Sequence, residues 1–371
     1  MDIGIPREIK DGEARVGTIP EVVRALTASG HLVVVETQAG ARVGYPDQAY
    51  RDAGAVVAPR ADSVYDCPLV IKVKELQREE YPMVRPGTIV AGYHQLGRDP
   101  RLLDAVLEKR ISCIAYESVT SADGSRPLLA PMSRIAGTLS AQLAAWAIQH
   151  REGPCSGSGI LLGGMDGGPG ANVLILGDGT VGRAAVAAFL AQGCSVTLLG
   201  HDQERLDEIN RIMGQQRPGA LVTALNSTEN LTQAIAAADV LVGAIAVAGK
   251  QAPKLVTRAM LASMAPGSVF IDVGIDMGGI SETSRQTKLS SPLYVEEGVL
   301  HYCAANIPAL VPRAATQALA AATQPFLQLL ADQGLDQAIQ ASSELFRGLL
   351  VRDGRVVDRS LAEDTGRVWA P

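Results

Sequence analysis

Three polar side chains follow predicted strands early in the chain, where they could act on one small ligand. Arg15 lies in the loop after the first strand, Lys74 ends the run VIKVK, and His94 ends the run IVAGYH. Ligands of open α/β sheets bind beyond the carboxyl ends of strands. Arginine can bind a carboxylate bidentately, lysine can place a charge on a carbonyl oxygen, and histidine can exchange a proton near neutral pH. Together they predict an α-keto acid site, although a single strand-end cation is more often a solvated rim charge and a lone histidine more often structural.

A second motif, VLILGDGTVG at residues 173–182, predicts a dinucleotide-binding βαβ unit. The run VLIL indicates a strand, and the small residues after the glycines indicate a helix. Gly177 permits the tight turn, Gly179 lets the backbone approach a pyrophosphate, and Gly182 lets the helix and strand pack closely. The helix N-terminus then offers N–H groups to the phosphates. The alternative is an ordinary glycine-rich turn in an α/β sheet.

The end of the next strand bears on the choice of cofactor. Dinucleotide-binding units usually carry an acid there that accepts a hydrogen bond from a ribose hydroxyl. This chain has Leu199, Gly200 and His201 instead. Without the acid a 2′-phosphate is not repelled, and His201 and Arg205 are near enough in sequence to offer donors or positive charge. We therefore predict that NADP(H) is tolerated or preferred, with NAD(H) still possible.

The segment IDVGIDMGG adds two acids that could face the same ligand. It predicts Asp272 inside a strand and Asp276 at the end of that strand. The acid at the strand end is the one that a ligand could reach. The alternative for Asp276 is a cap or turn acid.

Composition restricts the class of protein. The chain has 371 residues, of which 47% are hydrophobic, so two domains with large cores are possible. A net charge of -6 argues against nucleic acid as a partner. Five scattered cysteines without a C-x-x-C indicate neither a zinc site nor a disulfide framework, and the remaining histidines have no metal-ligand pattern. With no apolar signal sequence and no apolar run long enough to span a membrane, we expect a soluble cytoplasmic protein.

Short apolar runs alternate with helix-period segments along most of the chain. Strands are predicted at 68–74, 87–93, 111–117, 239–249 and 267–276, a long buried helix from Pro131 to His150, and a glycine-rich loop at 153–170. Strands separated by helices predict parallel pairing. From Ile307 the pattern is helical, and we expect this segment to pack on the first lobe. The predicted fold class is α/β, with two doubly wound, Rossmann-like domains and a cleft between them.

These residues stand in longer motifs that resemble the alanine dehydrogenase family, within the group that it shares with the transhydrogenase NAD-binding subunit. The motifs are IPREIKDGEARV, LVIKVKE, IAYESVTSADGSRPLLAPMSRIAG, LILGDGTVG, GAIAVAGKQAPKLV, IDVGIDMGG and YCAANIPALVP. The resemblance implies a discontinuous substrate domain, 1–128 plus 307–371, and a dinucleotide-binding domain, 129–306. It implies reversible conversion of an amino acid and NAD(P) to a 2-oxo acid, ammonia and NAD(P)H, and a homo-oligomer, either a hexamer or a dimer.

The resemblance also implies roles for individual residues. Arg15 would bind the substrate carboxylate and Lys74 its carbonyl or amino end, and His94 would be the acid/base. Asp276 would lie beside the nicotinamide, and Glu117 would be an acid near the catalytic group. Ser133 and Asn306 match positions that line the cofactor and the site.

The chain departs from the family pattern at three positions: Gly200 replaces the acid, Arg134 replaces the acid of the APMSE motif, and Gly92 replaces an aromatic residue two positions before the histidine. Without an aromatic ring at Gly92, space is left beside His94, and this space predicts a substrate larger than alanine.

An opine-type synthase, which reduces an imine of a 2-oxo acid and an amino acid, is one alternative. A transhydrogenase-like nucleotide-binding subunit is another, although it would not need Arg15, Lys74 and His94.

Overall fold

The computed structural model describes residues 1–165, 168, 170–215, 217–245 and 252–370. They form two compact units, one of Met1–Met132 with Val311–Pro371 and the other of Ser133–Leu310. The end of the strand predicted at 239–249, and part of the loop predicted at 153–170, lie outside the described residues.

The first segment of the chain alternates strands with helices. Its strands are β1 (Asp2–Ile5), β2 (Leu32–Glu36), β3 (Val56–Ala58), β4 (Leu69–Lys74), β5 (Ile89–Tyr93) and β6 (Ser112–Ala115). Its helices are α1 (Pro20–Ala28), α2 (Asp47–Asp52), α3 (Asp62–Tyr65) and α4 (Pro100–Glu108). All six residues of β4 are buried, as its near-continuous apolar run requires in the middle of a parallel sheet.

The second unit repeats this alternation. After α5 (Ala130–Ala147), its strands are β7 (Asn172–Leu176), β8 (Ser195–Gly200), β9 (Leu221–Leu225), β10 (Val240–Gly243), β11 (Val269–Asp272), β12 (Leu293–Glu296) and β13 (Val299–Tyr302). Its other helices are α6 (Thr180–Ala191), α7 (Gln203–Met213), α8 (Thr228–Ala236) and α9 (Arg258–Ala262). The strand order is β12-β13-β11-β10-β7-β8-β9, in which β12 is antiparallel to β13 and the other neighbours are parallel. The chain therefore winds outward in both directions from β7.

The C-terminal segment completes the first unit. It consists of α10 (Pro312–Ala341), α11 (Ser343–Gly348), β14 (Leu349–Arg352), β15 (Arg355–Val356) and α12 (Arg359–Thr365). The strand order of the unit is β15-β14-β6-β5-β4-β1-β2-β3, with β1 to β6 parallel and the last two strands antiparallel. In both units the main strands follow the doubly wound order. The prediction of two doubly wound, mainly parallel α/β sheets is confirmed.

Four local predictions were wrong. The strand predicted at 239–249 ends at Gly243, before the residues that are not described. The C-terminal segment is not only helical, because Asp353 and Gly354, with φ of 47° and 75°, form the tight Asp-Gly turn of a hairpin between β14 and β15. The strand predicted to 117 ends at Ala115. The strand predicted at 267–276 ends at Asp272, so that Asp276 lies beyond it in a one-turn 3₁₀ helix. The chain turns at Gly274, where a Cβ would lie 2.7 Å from the carbonyl oxygen of Ile245.

No helix in the described part of the chain is both long enough and apolar enough to cross a membrane.

The glycines after β7 give a testable contrast. A Cβ at Gly182 would lie 1.8 Å from the carbonyl oxygen of Gly177, whereas a Cβ at Gly179 would meet no atom of the described residues within 4 Å. We expect Gly182→Ala to destabilise the unit by about 1–3 kcal/mol through overpacking. Gly179→Ser, which keeps a good helix N-cap residue, should change the stability by less than about 0.5 kcal/mol. Urea unfolding of both variants tests this, and an equal loss for the two would contradict it.

Candidate active site

Arg15 is held by the carboxylate of Glu13, which was not among the predicted site residues. Its side chain is 2% exposed, with Nε donating to Glu13 Oε1 at 2.7 Å and Nη2 donating to Glu13 Oε2 at 2.6 Å. Nη1 lies 3.2 Å from the sulfur of Met132. Burial acts to lower the pKa of Arg15, but the bonds to Glu13 outweigh it and raise the pKa. The two hydrogen bonds to Glu13 therefore fix the orientation of the guanidinium, which stays positively charged.

Lys74 follows an irregularity in β4. Ile71 pairs with Ala91 and Lys74 with Tyr93, so β4 has one more residue than β5 over this stretch. Such a bulge leaves backbone N–H groups without a strand partner. Glu8 supplies the acceptor, since its Oε1 accepts from Val73 N at 2.6 Å and from Lys74 N at 3.1 Å. Glu8 therefore fixes the backbone at Lys74, which is itself 7% exposed.

The other oxygen of Glu8 belongs to a buried charge cluster. Lys72 donates from Nζ to Glu8 Oε2 at 3.2 Å and to Glu80 Oε1 at 2.7 Å, and Tyr65 OH also donates to Glu80. Burial, countered by Lys72, raises the pKa of Glu8, while the two carboxylates overcome the burial of Lys72 and raise its pKa. The cluster fixes the bulge to the loop that carries Glu8.

His94 follows β5 directly and is 1% exposed. Its Nε2 lies 3.0 Å from the carbonyl oxygen of Val90. A carbonyl oxygen can only accept, so Nε2 carries the proton, and Nδ1 is the basic nitrogen of the neutral ring. Burial lowers the pKa of His94, and the charge of Glu117 opposes this shift. A histidine with a lowered pKa is neutral near pH 7 and can accept a proton there.

Glu117 contacts the backbone around His94. Its Oε1 accepts from His94 N at 3.0 Å and from Gln95 N at 2.6 Å. Gln95 has a φ of 48°, an uncommon conformation that these hydrogen bonds help to hold. These contacts make Glu117 a positioning residue for His94, and its charge also acts on the pKa of the ring.

The first unit brings Arg15, Lys74 and His94 to the carboxyl ends of β1, β4 and β5, which are neighbours in the sheet. Their surroundings overlap: Glu8 is an electrostatic neighbour of Arg15, and Lys72 is one of His94. The strands β1 and β4 are adjacent at the point where the strand order reverses direction. Ligands of such folds usually bind there.

Gly92 lies opposite the bulge. A Cβ there would be 3.3 Å from the carbonyl oxygen of Lys72. Tyr93, which could refill space near His94, is buried, donates from its hydroxyl to Leu128 O at 2.6 Å and packs edge-on against Tyr116. The first atom of any side chain at position 92 therefore meets the β4 backbone.

The glycine turn of the second unit fits a dinucleotide. Gly177 has a φ of 113°, which favours glycine, and the close packing of Gly182 holds α6 against β7. At the N-terminus of α6, no atom of the described residues lies within 4 Å of a Cβ on Gly179, so a phosphate could approach the backbone there. The three glycines thus have the geometry that pyrophosphate binding requires.

Asp178, between the glycines, is 2% exposed. Its Oδ1 lies 3.2 Å from His201 Nδ1 and 4.0 Å from Arg205 Nη1, while Oδ2 has no hydrogen-bond partner among the described residues. Gly200 is the last residue of β8, and a Cβ there would lie 2.9 Å from Asp178 Oδ2. A carboxylate therefore lies beside Gly200, although the strand itself contributes none.

The remaining predicted residues also belong to the second unit. Asp276 is half-buried in its 3₁₀ turn, whereas Asp272 is fully buried and accepts from Ile280 N and Ser284 Oγ. Burial raises the pKa of Asp272. Ser133 is half-buried in the first turn of α5, and Asn306 has a φ of 63° after β13. Among the residues that the structure describes, no group of three or more His, Cys, Asp or Glu could hold a metal ion.

Three carboxylates of the candidate site were not predicted from the sequence: Glu8, Glu13 and Asp178. Each had a weak signal: Glu8 and Glu13 stand in the motif that contains Arg15, and Asp178 is the middle residue of G-D-G. Their roles depend on contacts across the fold that no local pattern reports.

The role of Glu8 can be tested by its removal. We expect Glu8→Ala to destabilise the protein by about 3–5 kcal/mol, because Lys72 loses one of its buried partners and two buried N–H groups lose their acceptor. The control is Glu363→Ala, which removes an exposed partner of Arg359 at 2.8 Å and should cost less than about 1 kcal/mol. Urea unfolding measures both, and similar small losses would contradict this account of the bulge.

Comparisons with known proteins cover both units. Residues 4–136 match the family model "Alanine dehydrogenase/PNT, N-terminal domain", and residues 140–359 match "Alanine dehydrogenase/PNT, C-terminal domain". Alanine dehydrogenase 2 of Staphylococcus aureus strain N315 is 40% identical over 364 residues, which cover 98% of this chain and 96% of that protein. Alanine dehydrogenase of Staphylococcus haemolyticus is 41% identical over 367 residues, or 99% and 96% of the two chains.

Solved structures agree with this. An L-alanine dehydrogenase superposes with a TM-score of 0.93 at 37% identity, with 99% of each chain covered. A transhydrogenase from Sinorhizobium meliloti gives a TM-score of 0.81 at 23% identity, covering 96% of this chain and all of that one, which shows a shared fold. With both domain models matched and full-length relatives at this identity, the chain belongs to the alanine dehydrogenase/PNT family.

Proposed function

We propose that this protein is an NAD(P)-dependent amino-acid dehydrogenase that converts alanine or a larger amino acid to a 2-oxo acid and ammonia, reversibly. The observation that carries the proposal is the buried His94 directly after β5, in a sheet whose neighbouring strand β4 ends at Lys74 and whose next strand β1 leads into the loop of Arg15. A subunit that only passes hydride between nucleotides has no need of these residues.

Each residue of the first unit has a distinct task in this proposal. Arg15, held in plane by Glu13, binds the substrate carboxylate. Lys74, fixed by the bulge and Glu8, orients the carbonyl or amino end. Burial of these groups strengthens their electrostatic contacts with a charged substrate. The substrate is thus oriented at both ends before any proton moves.

Proton transfer is the task of His94. Overall, the amino acid, NAD(P)⁺ and water give the 2-oxo acid, ammonium, NAD(P)H and a proton. The cofactor supplies hydride acceptance when it is bound. Nδ1 of His94 accepts the proton of the attacking water, and Nε2 stays bonded to Val90 O throughout. In the reverse direction, the same nitrogen returns that proton to the departing oxygen.

The second unit would hold the cofactor. We propose that Gly177, Gly179 and Gly182 cradle the pyrophosphate, that Ser133 and Asn306 line the site, and that Asp276 lies beside the nicotinamide. From Gly200, His201 and Arg205 the sequence predicts tolerance or preference for NADP(H), but the carboxylate of Asp178 beside Gly200 argues against it and favours NAD(H).

Replacement of His94 tests the acid/base role. We expect His94→Ala to lower turnover by about 10²–10⁴-fold, because the proton acceptor is lost, and to leave cofactor affinity nearly unchanged. In the wild type, kcat/KM for deamination should fall as the pH falls through the lowered pKa of His94, since only the neutral ring accepts a proton. Near-normal turnover of the variant would exclude the assignment.

Glu117→Gln separates positioning from catalysis. The amide oxygen can still accept from the backbone N–H groups, but the negative charge that raises the pKa of His94 is gone. We therefore expect the acidic limb of the pH profile to move to lower pH while turnover at the plateau is largely kept. A fixed limb would show that the charge of Glu117 does not act on His94.

A substrate panel tests the proposed reaction itself. The purified protein is assayed with a series of 2-oxo acids plus ammonium, with pyruvate plus amino acids, and with amino acids in the oxidative direction, each with both nicotinamide cofactors. We expect turnover with ammonium and a 2-oxo acid, and pyruvate to be a poorer substrate than larger 2-oxo acids. Turnover only with an amino acid as the amine would favour the opine-type alternative. A preference for pyruvate over every larger 2-oxo acid would contradict the predicted substrate size.

A further inference from the structure

The missing acid of β8 has a replacement from the adjacent turn. A Cβ on Gly200 would lie 2.9 Å from each of Cβ, Cγ and Oδ2 of Asp178. The Asp178 side chain therefore occupies the space beside the strand end, where a side chain at position 200 would begin. Glycine at 200 and aspartate at 178 are sterically complementary.

One oxygen of the Asp178 carboxylate lacks a hydrogen-bond donor among the residues that the structure describes. The residue is 2% exposed, and its Oδ2 has no hydrogen-bond partner in the described part of the chain. A buried carboxylate oxygen without a donor costs free energy, which a ligand hydroxyl would recover. Rotation about the last side-chain bond can present either oxygen to such a donor.

The nearby basic groups face this carboxylate. His201 Nδ1 and Arg205 Nη1 lie 3.2 Å and 4.0 Å from the same oxygen, Oδ1. The side chains of His201 and Arg205 are 80% and 42% exposed, so both can move when a ligand arrives. The charge of Arg205 is directed at Asp178 and is partly offset there, and His201 Nδ1 lies against the same oxygen, which weakens both as partners for a phosphate.

From this geometry we infer that Asp178 selects the cofactor by accepting hydrogen bonds from the adenosine ribose hydroxyls of NAD(H) and repelling the 2′-phosphate of NADP(H). The inference rests on the proposed function and makes it more specific. The acid that dinucleotide-binding units usually carry at the end of the second strand is supplied here from within the glycine turn.

Binding measurements test the inference without turnover. NADH and NADPH are titrated into the wild type, Asp178→Asn and the exposed-charge control Glu204→Gln, with the fluorescence of the bound nicotinamide as the signal. AMP and adenosine 2′,5′-bisphosphate are titrated by calorimetry. We expect the wild type to favour the forms without a 2′-phosphate by about 10- to 100-fold, the size of a close charge–charge repulsion at a protein surface. Asp178→Asn should lose most of that ratio, and Glu204→Gln should keep it.

A swap of the two positions sharpens the test. Gly200→Asp alone should bind both dinucleotides poorly, because its Cβ meets Asp178. Asp178→Gly with Gly200→Asp should restore the preference for NADH. Equal wild-type affinity for NADH and NADPH, or an unchanged ratio in a folded Asp178→Asn protein, would overturn the inference. A wild type that prefers NADH but deaminates no amino acid would instead overturn the proposed function and leave the role of Asp178 intact.

Discussion

The buried carboxylate of Glu8 is the interaction on which the rest of the candidate site depends. A bulge in a central parallel strand exposes N–H groups that no neighbouring strand can pair, and burial makes each of them costly. One oxygen of Glu8 accepts from two of these groups, and the other balances Lys72. The bulge can therefore shift Lys74 out of the regular register of β4 without leaving these buried N–H groups unpaired.

The two units apply the same architecture to different tasks. In each, the chain winds outward from a central first strand, and a specific constraint acts on the segment after that strand. In the first unit the constraint is electrostatic, since Arg15 is held by Glu13. In the second it is steric, since a Cβ at Gly182 has no room. The first unit thus holds a fixed buried charge, and the second holds a tightly packed glycine turn at the N-terminus of α6.

Structure was best predicted from the sequence where one local constraint requires one residue type. Apolar runs located β4, β5 and β7, and the glycine spacing predicted the turn after β7 because each glycine has a separate steric task. Partners distant in sequence were not predictable in this way: the bulge of β4 depends on Glu8, and the consequence of Gly200 depends on Asp178. Asp276 was assigned to a strand end because periodicity does not show that the chain turns at Gly274. The dipeptide Asp353-Gly354 is typical of the turn in a β-hairpin. The residues before it have a helical pattern, so the whole segment was predicted as helical.

The hairpin β14–β15 also affects how the chain folds during its synthesis. The first unit needs both ends of the chain, since β6 is an edge strand until β14 pairs with it, whereas the second unit is one continuous segment. During synthesis the N-terminal strands leave the ribosome first and remain incomplete while Ser133–Leu310 is translated and can fold. An unpaired β6 is a template for pairing with other chains over that interval. Truncation before Leu349 would leave that edge open permanently, so the last strands protect the completed chain from edge-to-edge pairing as well as finishing the sheet.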